Sequence, residues 1–140
     1  MLNEIKTLMP DNMVALEVIV ENKYRQIKVI VDGKKPVDLK DTALLAKIIR
    51  ESGLLEKDKY LDYQLEVTTP GIGSPLLFAF QFEKNIGRKI RVLEKDSDKQ
   101  IDLRLTQASK KSFEGLNDKG RSVRFDYNNI QTAKVLVEFI

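Results

Sequence analysis

The chain has 140 residues, 42% hydrophobic and 32% charged, with a formal net charge of +3; this suits one ordinary domain or two small ones and argues against a wholly disordered chain. It has no cysteine and no histidine, which removes disulfides, the usual zinc sites, Cys–His nucleophilic pairs and Ser–His–Asp triads. An enzyme built from this alphabet would rely on carboxylates, Lys or Tyr alone, and the acidic residues lie scattered among basic ones. No catalytic residue, metal site, cofactor or small-molecule substrate is therefore expected. No apolar run approaches the roughly 18–20 residues that span a bilayer, so no membrane partner is expected. The opening MLNEIKTLMPDN carries no export signal, and the lack of cysteine fits a cytoplasmic location.

A short helix is expected around Ile5 and Leu8. In MVALEVIVE, Val14, Leu16, Val18 and Val20 alternate with Ala15, Glu17, Ile19 and Glu21, the period of a half-buried strand. A tight connection through Asn22 and Lys23 leads to a second strand, with Ile27, Val29 and Val31 on one face. Asp32-Gly33 and Pro36 end it. Asp38 is placed to cap a helix with Asp41 in its first turn; Leu44, Leu45, Ile48 and Ile49 form its apolar face and Gly53 its left-handed end. A third strand follows at YQLEVT. The first half thus reads β-β-α-β, a helix on one face of a small sheet.

TTPGIGSPL interrupts this pattern. Pro70, Gly71, Gly73 and Pro75 fall within six positions, so no regular element runs through them, and a stiff domain boundary is expected. Ser74-Pro75 resembles a helix start, with Phe78 and Phe82 on one face of a helix that stops near Gly87. The expected division is an α/β domain over 1–72, a connecting turn and short helix over 73–87, and a second domain over 88–140.

Beyond Arg88 the strands are short. Ile90 and Val92 mark the first, and Ile101, Leu103 and Leu105 the second. Phe113 and Leu116 mark the third, Val123, Phe125 and Tyr127 the fourth, and Val135, Val137 and Phe139 the last. Asn117-Asp118-Lys119-Gly120 supplies a hairpin turn, and Tyr127–Ile130 a single 3₁₀ turn. Five short strands in about fifty residues favour a small closed barrel of SH3-like type, which leaves few exposed sheet edges. The predicted fold class is α+β: an N-terminal α/β domain, then a C-terminal SH3-like all-β barrel.

Charge is uneven. Residues 1–70 carry 11 Lys+Arg against 12 Asp+Glu, and residues 71–140 carry 13 against 9, a net of +4. A basic second half fits either a polyanionic partner such as RNA or an ordinary solvated surface. Arg88, Lys89 and Arg91 enter the first barrel strand, while Lys111, Arg121 and Arg124 flank the later hairpin; alternation sends Arg91 and Arg124 outward. No exposed aromatics are interleaved with these cations, which argues against base-stacking readout. The first half lacks the Gly-x-x-Gly loop of K-homology RNA-binding modules, so its β-β-α-β order is a likeness of fold alone.

YQLEVTTPGIGSPL resembles the central signature of the ribosome maturation factor RimP family: Leu65, Glu66, Val67, Pro70, Gly71, Pro75 and Leu76 match it. Thr68 and Thr69 stand where serines are usual, and Gly73 and Ser74 where Asp-Arg is common. FEKNIGRKIRV, NIQTAKVLVEF and IKVIVDG with the following VDLKDTALLAKIIRE also resemble that family, in the right order along nearly the whole chain. The resemblance implies a cytoplasmic bacterial protein that binds immature small (30S) ribosomal subunits, through ribosomal protein or rRNA, and promotes their maturation. On that reading Thr69, Pro70, Gly71, Gly73 and Pro75 form an interdomain signature, and Arg88, Lys89, Arg91, Lys111, Arg121 and Arg124 are candidate ribosome contacts. A general RNA-binding or protein-interaction module with an SH3- or Sm-like barrel is the alternative.

Overall fold

The computed structural model describes residues 1–57, 59–71 and 73–138. The chain divides into two compact units, Met1–Pro70 and Gly71–Ile140.

The first unit opens with helix α1 (Leu2–Leu8), followed by strands β1 (Val14–Glu21) and β2 (Gln26–Asp32), helix α2 (Leu39–Glu51), the single turn α3 (Leu54–Lys57) and strand β3 (Gln64–Thr68). The sheet order is β1-β2-β3, with β1 antiparallel and β3 parallel to β2. A parallel neighbour requires a crossover, and α2 with α3 supplies it. The strict alternation of β2 buries Ile27, Val29 and Val31, which pack in one core with Ile5, Leu45, Ile49, Leu54 and Leu55.

Asp38 caps α2 as expected. Its carboxylate accepts from the Asp41 backbone N–H at 2.9 Å, and the Asp41 carboxylate accepts from the Asp38 N–H at 3.0 Å, a reciprocal capping box. Gly53, just past the helix end, has φ +77°. Gly33 is required sterically, since a Cβ there would lie 2.5 Å from the Asn12 carbonyl oxygen.

Two face assignments in this unit are corrected. Alternation put Val14 and Leu16 on the core face of β1, but a bulge lies between Ala15 and Glu17. The extra residue reverses the faces, so Met13 and Ala15 are buried before it and Val18 and Val20 face the core after it. On α2 the buried stripe is Thr42, Leu45 and Ile49, a spacing of three and four residues, and Leu44 is half exposed.

The second unit contains helix α4 (Ala79–Glu83) and strands β4 (Lys89–Glu94), β5 (Gln100–Ala108), β6 (Ser112–Leu116), β7 (Ser122–Asp126) and β8 (Ile130–Val135), with a 3₁₀ turn at Tyr127–Asn129 before β8. All ladders are antiparallel, in the order β7-β6-β5-β4-β8. The closed barrel expected from sequence is not formed by hydrogen bonding: among the described residues no ladder joins β7 to β8. Bulges between Leu105 and Gln107 and between Leu93 and Glu94 add local bend and twist.

The core of this unit is aromatic. The Phe113 ring stacks on Phe82 at 4.7 Å between centroids and on Phe125 at 5.6 Å, with Tyr127 also at 5.6 Å. Ile90, Val92, Leu103, Leu105 and Ala133 complete the core. The hairpin turn at 117–120 forms as read from sequence: Gly120 donates to the Asn117 carbonyl at 2.9 Å, and Asn117 Oδ1 accepts from the N–H groups of Lys119 and Arg121.

Ser74-Pro75 does not start a helix. Pro75 bridges to β8 instead, and α4 begins at Ala79, where Gln81 Oε1 accepts from the Leu77 and Phe78 N–H groups. Phe78 is 44% exposed and only Phe82 enters the core, so the two do not share a buried face. Leu116 and Val137 are also exposed. The last strand runs Ile130–Val135 and ends before Val137; Phe139 lies outside the described residues.

Candidate functional site

The unit boundary falls inside the Pro–Gly signature. Thr69 and Pro70 follow β3 at the end of the first unit, Thr69 exposed and Pro70 half-buried. Gly71, Gly73 and Pro75 open the second unit, where Ser74 donates to the Gly71 carbonyl at 3.1 Å. Gly73 has φ +81°, the left-handed region where glycine carries no steric cost. Leu76 then donates to the Ala133 carbonyl at 2.7 Å, beside the Pro75–Lys134 bridge. The stretch after Gly73 therefore lies antiparallel alongside β8, and the segment 73–87 belongs structurally to the second unit, with Phe82 in its core.

The two units carry the charge imbalance separately, since residues 1–70 sum to −1 and residues 71–140 to +4. The six candidate cations do not share one environment. Lys89 and Arg91 project from the face of β4 opposite buried Ile90 and Val92. Arg91 makes a two-pronged ion pair with Asp102 on β5, Nε to Oδ1 at 2.9 Å and Nη2 to Oδ2 at 3.1 Å. That hydrogen-bonded guanidinium holds the Asp102 carboxyl below the usual carboxylate range against an opposing effect of burial. Lys89 Nζ lies 3.6 Å from Asp118. Arg88 is exposed, and its carbonyl accepts from Leu105.

Lys111, Arg121 and Arg124 are exposed and have no ion pair among the described residues. Arg124 on β7 lies three strands from β4 in the sheet order, about 14 Å along the hydrogen-bonding direction. Arg91 and Arg124 are thus distinct positive positions, one held by a carboxylate and one solvated.

Sequence reasoning missed the residues that set this balance. Arg104 lies opposite Lys89 in the β4–β5 register, and its charge is met by Glu138 at 3.0 Å, which also accepts from the Lys89 N–H at 3.1 Å. The Arg104 guanidinium holds the Glu138 carboxyl below its ordinary value. Lys134 lies opposite Arg91 in the β4–β8 register, exposed and without an ion pair among the described residues. Alternation places Arg104 and Lys134 on the outer face, but only strand register reveals which residues they face.

No group of His, Cys, Asp and Glu that could hold a metal occurs among the described residues. No described helix is long and apolar enough to cross a membrane.

A family model described as the RimP N-terminal domain matches residues 1–73. Among curated relatives, the ribosome maturation factor RimP of Christiangramia forsetii is 32% identical over 82 residues, 59% of this chain and 52% of that protein. The proteins of that name from Chlorobium luteolum and Chlorobium limicola are 34% identical over 92 residues and 31% over 107. These cover 61% and 70% of this chain, and 51% and 60% of those proteins. The chain thus spans between half and three fifths of the curated relatives it matches. The family model covers the whole first unit and more than half the sequence, and on that match the chain belongs to the RimP family.

Proposed function

We propose that this chain is a non-enzymatic ribosome assembly factor that binds immature small ribosomal subunits and promotes their maturation in the bacterial cytoplasm. The observation that carries the reading is the family match over the first unit, joined to relatives named ribosome maturation factor. The basic second unit supports it: a net +4 suits an rRNA-containing particle, because neutralising phosphates releases condensed counterions. Arg88, Lys89, Arg91, Lys111, Arg121 and Arg124 are the proposed contacts. The exposed Lys111, Arg121 and Arg124 contribute mainly to long-range attraction, and the braced Arg91 to orientation. The first unit, with no excess positive charge, orients the second. Such a factor acts by binding the immature conformation more tightly than the mature one.

The second unit is assigned to the SH3-like class. The strand order β7-β6-β5-β4-β8 and the 3₁₀ turn before the last strand favour that class. The same features support the second reading, a general RNA-binding or protein-interaction module with an SH3- or Sm-like barrel. Sucrose-gradient sedimentation at low salt separates the two. Co-migration with immature small-subunit particles is expected, and unrelated RNA binding as tightly as those particles favours the general module. A chain that stays at the top of the gradient ends the assembly-factor reading.

A further inference from the structure

The outer face of the second unit carries a half-open cleft of about 250 Å³, lined by Gly73, Pro75, Arg91, Gln100, Thr132 and Lys134 among others. We propose that this cleft binds the phosphodiester backbone of RNA without reading its bases; the proposal rests on the ribosomal reading above and gives it a place on the molecule.

Three observations converge on it. Arg91 and Lys134 are direct cross-strand partners in the β4–β8 ladder. Like charges in that position disfavour the sheet, so the pair has a local cost that a bound anion would relieve. One carboxylate, Asp102, braces Arg91 from the other side, and both of its oxygens are engaged by Arg91. Lys134 is left as the surplus charge.

The brace also sets geometry. Arg91 uses two of its five N–H donors on Asp102, and the other three remain for a second acceptor group. Across β4, Leu93 lies between Gln100 on β5 and Thr132 on β8, so an amide and a hydroxyl flank the two cations as neutral donors. A phosphodiester offers acceptors only, with one negative charge per unit, and matches that set.

The third observation is the wall. The Pro–Gly segment is held against β8 by the Leu76–Ala133 hydrogen bond and the Pro75–Lys134 bridge. At Gly73, apart from its chain neighbours, no described atom lies within 4 Å of where a Cβ would sit, so the space there is open. A half-open channel lets a continuous chain enter and leave, whereas a free phosphate would keep much of its water. Among the described residues no aromatic side chain lines the cleft, which favours a contact with the backbone over one that stacks on bases.

The test is an NMR titration of the ¹⁵N-labelled full chain with a short oligouridylate, with inorganic phosphate and oligo-aspartate as parallel arms. Oligouridylate is expected to shift the amides of Gly73, Gln100, Thr132 and Lys134 first. Lys134→Gln should lower the slope of log affinity against log salt by about 0.7, the loss of one single-strand phosphate contact. Thr132→Val should weaken binding with that slope unchanged, and Lys119→Gln, outside the cleft lining, should do neither. Shifts centred on Lys111 and Arg124, an unchanged slope in Lys134→Gln, or equal responses to oligo-aspartate or inorganic phosphate would overturn the proposal. Sedimentation of the same proteins with small-subunit particles keeps the two claims apart. Wild-type co-migration without cleft shifts sinks the cleft alone. Cleft shifts in a chain that never co-migrates leave the cleft standing and end the ribosomal reading.

Discussion

Truncating Phe113 to alanine tests the structural basis of the second unit. The side chain is 1% exposed, and its ring contacts Phe82 at 4.7 Å and Phe125 and Tyr127 at 5.6 Å each. Removing a buried phenylalanine costs about 3–5 kcal/mol, through lost transfer free energy and an unfilled cavity. Three aromatic partners, each contributing about 0.5–1.5 kcal/mol beyond buried area, put this site at the upper end of that range. A unit of about seventy residues has little more stability than that in total. Residue-resolved amide hydrogen exchange reads the effect where it occurs. Protection at Ile90, Leu103 and Leu105 should fall by about two to four orders of magnitude. The amides of Ile27, Val29 and Val31 should keep theirs, because the two cores have no residue in common. Phe113→Leu, which retains more of the side-chain volume, should lie between wild type and alanine. Equal loss of protection in both cores, or a loss below tenfold in the second, would refute this reasoning.

Other consequences follow from the charged and capping groups. Asp102 has a carboxyl pKa lowered chiefly by its hydrogen bond to Arg91, so its contribution is complete above the unfolded carboxylate range and is lost as pH falls through the lower folded value. The urea midpoint of the second unit should therefore drop below about pH 4, and Asp102→Asn should flatten that part of the profile. Asp38→Ala removes half of the α2 capping box and should destabilise the first unit by about 1 kcal/mol, measured as a lower urea midpoint. Arg124→Gln should weaken association with small-subunit particles and reduce its salt dependence while leaving the melting temperature within about 2 °C, since Arg124 is exposed, makes no ion pair among the described residues, and the glutamine sets no like charge against Glu114 opposite it. Arg91→Glu should also destabilise the second unit, because it sets a carboxylate against Asp102; thermal denaturation distinguishes the two variants.

Local chemistry was legible in the sequence wherever it acts over a few residues. The Asp38–Asp41 cap, the Asn117–Gly120 turn, the 3₁₀ turn at Tyr127 and the alternation of β2 depend on neighbours within one or two turns of chain. What failed depended on contacts distant in sequence. The β1 bulge is invisible as a pattern because Val14, Leu16, Val18 and Val20 alternate without a break; only pairing with β2 shows that Leu16 is the extra residue. Ser74-Pro75 has the residues of a helix start, but hydrogen bonding of Leu76 to Ala133, far along the chain, draws that segment onto β8. Leu44 follows the apolar composition of α2 yet falls outside the stripe that faces the sheet.

The candidate surface divides in the same way. That Arg91 and Arg124 point outward follows from period-two alternation. That Arg91 is braced by Asp102 and that Lys134 faces Arg91 follow from register across β4, β5 and β8, and that Arg104 is met by Glu138 depends on the chain beyond the end of β8. Counting basic residues gave the sign of the surface but not its distribution. Register makes Lys134 a stronger position for anion contact than Lys89, whose charge lies near Asp118.

The central claim concerns preference between two states of one particle, so the most direct measurement is a pair of affinities. The chain is titrated against immature and mature small subunits at the same salt concentration, with bound and free protein separated by sedimentation. Tighter binding to the immature particle is predicted, with the difference reduced by Lys134→Gln. Equal affinity for both would contradict the account, because a ligand that does not distinguish two states cannot shift the balance between them.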